Sequence, residues 1–166
     1  MQQIKPVNVG LITGLTMVCA LLFSFYVLKN PVESNFQFAV YILFSLGIVF
    51  SLFIFSKKKE GMHAGFKDYF STGFKTFVVV VFIMAVFTFI FFSFNTSFRD
   101  NKIAENTKLI IAQGNHLPNE IAGNEKKLRQ MFLPIMVSSA VFRYLIIGAI
   151  VTAVAGGFFS QQKKPG

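Results

Sequence analysis

The sequence predicts an all-α fold built on four membrane-crossing helices. Three observations predict it. Long runs without a charged residue recur along the chain, the most apolar of them from Thr76 to Phe98. At about 23 residues, that run exceeds the roughly 20 that a helix needs to cross the hydrocarbon core of a bilayer. Only 14% of the 166 residues are charged, where soluble domains carry about 25%. The lysines, finally, gather beside the apolar runs, as cations do where helices leave a membrane. A backbone in lipid must satisfy its own N–H and C=O groups, so these runs are helical despite their β-branched and aromatic composition.

The first span covers residues 7–28, behind the short polar head MQQIKP. It is too long for the apolar region of a signal peptide, and no small-x-small cleavage site precedes Lys29, so it reads as an uncleaved helix. Gly10 and Gly14 form a G-x-x-x-G pair, a surface on which another helix approaches closely. Pro31 stops helix continuation in the connection KNPVESN. The second span, residues 36–55, must therefore be the antiparallel neighbour of the first. Lys57, Lys58 and Lys59 end it and mark a cytoplasmic loop; they read as topology anchors or as ligands of anionic lipid headgroups.

From Gly65 the pattern becomes amphipathic. Phe66, Tyr69, Phe70, Phe74 and Phe77 recur at three- and four-residue steps, opposite Lys67, Ser71 and Lys75. This stretch reads as an interfacial helix running into the third span, residues 74–94, with Lys67 and Lys75 at the headgroup level. Residues 95–130 form the one large loop, placed outside and partly helical. Ile103, Thr107, Ile110 and Ile111 share a face, and Gly114 is positioned to end that helix. Pro118 opens a second short helix that continues to Met131. The fourth span, residues 132–159, takes Pro134 in its first turn. Its Ala149, Ala153 and Gly157 make a small-x-x-x-small strip suited to helix packing.

The formal net charge of +9 does not point to nucleic acid. No basic groove interleaved with stacking aromatics accompanies it. Summing the loops instead places both termini on the cytoplasmic side, because the inner segments hold lysines with few acids among them.

Arg143 is the one charge inside an apolar helix, and such a charge is a functional candidate by default. Its long side chain can also snorkel outward or pair with outer-loop acids, so an anion or lipid site and a structural role both stand. None of the seven acidic residues lies within a span, which argues against a proton- or cation-coupled exporter. Cys19 reads as a small buried hydrophobe and cannot form an internal disulfide alone. His63 and His116 have no neighbouring carboxylate or thiol in the sequence and read as solvated loop residues. No nucleophile–base set is available. The sequence thus predicts no catalytic residue, no metal and no cofactor.

The layout has a family resemblance. A glycine-bearing first span (VGLITGLTM), a short turn, a basic loop, the entry FKDYFSTGF into the third span, and a charged loop ending NEKKLRQM before a proline follow one another. This resembles the bacterial four-helix membrane family called domain of unknown function 4199, over about residues 5–160. The resemblance implies a multi-pass protein of the bacterial cytoplasmic membrane and supplies no catalytic residues. The expected function is a non-enzymatic scaffold or accessory subunit, with membrane lipids and a membrane-protein partner or further copies of itself as partners. The alternative is a small, homo-oligomeric transporter or channel that handles anions through Arg143.

Overall fold

The computed structural model describes residues 5–27, 35–58, 64–112, 114 and 117–161. Lys59, His63, His116 and the terminal lysines lie outside them. Five helices carry the described chain, and no strand occurs among the described residues: α1 (Pro6–Tyr26), α2 (Asn35–Lys58), α3 (Phe66–Phe94), α4 (Thr96–Ala112) and α5 (Pro118–Gln161). Four of them, α1, α2, α3 and α5, are long and apolar enough to cross a membrane.

Three helix starts have a local cause. Pro6 occupies the first turn of α1, where its missing N–H is not needed. The Asp68 carboxylate accepts the Gly65 N–H at 3.0 Å at the start of α3. At the start of α5, Glu120 accepts the Leu117 N–H at 3.0 Å and Pro118 follows, half of a capping box. Asn95 alone separates α3 from α4; its backbone and side-chain nitrogens both donate to the Phe91 carbonyl at 2.9 Å. Gly114, after α4, has φ +69°, the left-handed conformation that terminates helices.

One helix matches the expected continuation and another is longer than expected. The amphipathic stretch and the third apolar run form one 29-residue helix, α3. The short helix expected before Met131 and the apolar run after it, by contrast, are not separate elements but one 44-residue helix, α5, with Pro134 inside it. Proline removes one backbone hydrogen bond from a helix interior. The apolar and polar stretches on either side continue the helix across that single gap.

The chain divides into two units, Met1–Met84 with Val141–Gly166, and Ala85–Ala140. The first contains α1, α2, the start of α3 and the end of α5, around a core of Met17, Phe44, Ile48, Leu52, Tyr69 and Phe77. Tyr144 of α5 meets the rings of Tyr41 and Phe44 of α2 edge-on, at 5.7 and 5.5 Å. Tyr69 of α3 packs edge-on against Phe55 and stacks on Phe159. The second unit contains the end of α3, α4 and the start of α5. Its core is Phe91, Ile103 and Phe132, with Phe92 against Phe132 at 5.3 Å. Arg129 of α5 reaches Asp100 of α4 at 2.9 Å and Glu125 of its own helix at 3.0 Å.

Candidate functional site

The polar centre of the first unit is a hydroxyl cluster on three helices. Ser51 Oγ of α2 lies 2.7 Å from Thr76 Oγ1 of α3. Thr76 Oγ1 is also 3.2 Å from the Thr72 carbonyl and 3.3 Å from the Pro6 carbonyl of α1. A threonine hydroxyl has one proton. Thr76 therefore donates to one carbonyl at a time while accepting from Ser51. Thr76 is fully buried and Ser51 nearly so, so the cluster satisfies groups that would be costly to bury alone. It also explains which face of α3 turns inward. Tyr69, Thr72, Gly73, Thr76, Phe77 and Val80 are buried, whereas Phe66 and Phe74, expected on the apolar face, are about half exposed. Lys67, Ser71 and Lys75 are exposed.

Glycines set the helix spacing around this cluster. A Cβ on Gly10 would lie 2.6 Å from the Thr76 carbonyl oxygen, and one on Gly14 would lie 2.6 Å from Ile83 Cδ1. The G-x-x-x-G surface of α1 thus faces α3. Gly47 of α2 receives the Thr13 side chain, and Gly73 of α3 receives Thr152 of α5. On α5 the closely packed positions are Gly148, against Phe77 at 2.7 Å, and Gly156, against Tyr69 at 3.3 Å. This seam lies one residue before the strip of Ala149, Ala153 and Gly157. Ala149 and Ala153 are partly buried, and Gly157 has open space where a Cβ would stand.

Arg143 is exposed on α5, between exposed Phe142 and buried Tyr144. Lys57 and Lys58 are exposed at the end of α2, and the Lys57 ammonium stands 5.6 Å from the centre of the Phe53 ring. Cys19 is exposed, not buried. The buried face of α1 runs through Val9, Thr13, Met17 and Ser24, and a residue two positions after Met17 points away from it at 100° per residue. Of the other hydroxyls in apolar helices, Thr16 and Ser45 donate to carbonyls of their own helices. Ser51 instead bonds to another helix. Its partner Thr76 sits 25 positions away, a pairing no local pattern signals.

In the second unit a groove of about 280 Å³ runs between α4 and α5, lined by Asn106, Thr107 and Ile110 on one side and Asn124, Leu128 and Met131 on the other. Leu109 and Ile111, beside Ile110, are 61% and 55% exposed. Among the described residues, no three His, Cys, Asp or Glu side chains gather where they could hold a metal. The assembled chemistry is that of hydroxyls, glycine seams and exposed cations.

These features define a class: an all-helical chain with four helices able to cross a membrane and packed through glycine contacts. The chain matches the model of the family described as "Protein of unknown function (DUF4199)" over residues 8–161, and it belongs to that family. No curated protein and no solved structure matches it.

Proposed function

We propose that this chain is a non-enzymatic protein of the bacterial cytoplasmic membrane that works by association, as a scaffold or accessory subunit. Both termini face the cytoplasm in this reading, and α4 with the start of α5 lies outside. The observation that carries it is on α4. That helix is not among those long and apolar enough to cross a membrane, yet Leu109, Ile110 and Ile111 follow one another near its end. At 100° per residue they place apolar side chains on the groove and on both of its rims. Asn101, Glu105 and Lys108 occupy the opposite side. Exposed apolar surface rimmed by polar groups fits a protein partner.

Photo-crosslinking in the native membrane tests this. A photoreactive side chain at Leu109 should give one discrete adduct with a different protein, and the same group at Lys108 should give none. Adducts only with lipid, or equal labelling at both positions, would contradict it.

A second reading, a small anion-handling transporter or channel built from several copies, is favoured by Arg143. It is an exposed arginine within an apolar helix, where a charge is expensive in lipid and marks a functional candidate. Arg143→Leu should abolish transport in that case and leave association intact under the first reading.

A further inference from the structure

At one end of the first unit, α1 and α2 enclose a cavity of about 80 Å³. Lys5 and Lys58 stand on it, Pro6, Val9 and Phe55 wall it, and nearly buried Ser51 lines it. No carboxylate lines it among the described residues. We propose that this cavity binds the phosphate group of an anionic phospholipid, whose acyl chain follows the next turns of the same two helices.

Two ammonium groups are donors a phosphate takes, and the Ser51 hydroxyl, whose proton goes to Thr76, adds a polar wall. No side chain caps the start of α1, so the positive end of its dipole adds to the field. The end of α2 brings the opposite dipole, which Lys57 and Lys58 in its last turn offset. The volume equals that of two to three waters at about 30 Å³ each, room for a phosphate and not for a hydrocarbon chain. A place for the chain adjoins it. One to two turns further along, α1 and α2 form an open groove of about 520 Å³ lined by Ile12, Leu43, Leu46, Phe50 and Phe53, with Thr13 and Gly47 also lining it. Headgroup charge and acyl groove therefore lie in sequence along one helix pair, which favours a phospholipid over a soluble phosphate ester.

The inference rests on these helices lying in a bilayer, so the test separates the two. The full chain is reconstituted into nanodiscs of zwitterionic lipid, and bound lipid is counted by native mass spectrometry after adding phosphatidylglycerol, a zwitterionic lipid of the same chains, or inorganic phosphate. Wild type should retain phosphatidylglycerol preferentially. Lys5→Gln with Lys58→Gln should weaken retention about 30-fold, each near-membrane cation contributing about a factor of five. Lys108→Gln with Lys126→Gln removes the same charge from exposed positions of the second unit and should leave retention unchanged, and Lys5→Arg with Lys58→Arg should preserve it and report on folding. Equal losses in both glutamine pairs, or no lipid preference in wild type, would overturn the site. Inorganic phosphate displacing the lipid's phosphate at similar concentrations would overturn the acyl groove. Failure of the wild-type chain to enter nanodiscs would overturn the bilayer placement itself, and the site with it.

Discussion

Ser51 and Thr76 share a hydrogen bond of 2.7 Å between α2 and α3, and the Thr76 hydroxyl also reaches the Pro6 carbonyl of α1. One hydroxyl thus ties three helices. Thr76→Val keeps the shape and removes the bond. The expected loss of unfolding free energy in a detergent titration is about 0.6–1.7 kcal/mol, the range for side-chain hydrogen bonds in apolar surroundings. Thr76→Ser should restore most of it.

The glycines should fall in a definite order. Alanine at Gly10 meets the Thr76 carbonyl oxygen at 2.6 Å, and a backbone atom cannot step aside; overpacking of this kind costs about 1–3 kcal/mol. Alanine at Gly14 meets the Ile83 side chain, Cδ1 at 2.6 Å and Cβ at 3.2 Å, which can give where a carbonyl cannot, so its cost is smaller and the better helix propensity of alanine partly offsets it. Alanine at Gly157 meets nothing within 4 Å and should stabilise the helix by about 0.5–1 kcal/mol. Thermal unfolding of the three variants checks the order.

Phe132 is buried in the second unit against Phe92. Phe132→Ala should cost about 3–5 kcal/mol, as large aromatic truncations do. Arg129→Met removes exposed ion pairs with Asp100 and Glu125, and exposed pairs contribute little. It should leave the melting curve nearly unchanged, a contrast that protease susceptibility of residues 85–140 can also read.

Gly114 has open space at its Cβ position but φ +69°. Gly114→Ala therefore carries a pure backbone penalty of about 1–2 kcal/mol. The expected outcome is faster amide exchange in the last turn of α4, with the first unit unaffected.

What the sequence made readable was set by short-range physics. The close approach of Gly10 and Gly14 to a neighbouring helix, and the stop at Gly114, follow from the absence of a Cβ at fixed spacing. Pro134 misled because proline marks helix starts more often than interiors, and nothing local showed that residues 118–131 continue through it. The α5 seam was ambiguous for a related reason. Gly148, Thr152 and Gly156 repeat at the same spacing as Ala149, Ala153 and Gly157, and only Phe77, Gly73 and Tyr69 across the interface select between them. Thr76 has no local signature because its partner lies on another helix; the inward face keeps Tyr69 and Phe77 but is shifted onto Thr72 and Thr76, leaving Phe66 and Phe74 about half exposed. The cavity beside Lys5 and Lys58 joins residues about 50 positions apart and has no sequence signature.

Association is the central claim, and one measurement bears on it most directly: the native mass of the full chain, tagged at its C-terminus and purified from its own membrane in nanodiscs, beside the Leu109→Gln, Ile111→Gln variant. A second protein should accompany wild type in fixed stoichiometry and be lost from the variant, with the variant's fold intact by circular dichroism. A uniform particle made only of this chain, identical in both, would contradict it and would make anion flux through Arg143 the function to measure.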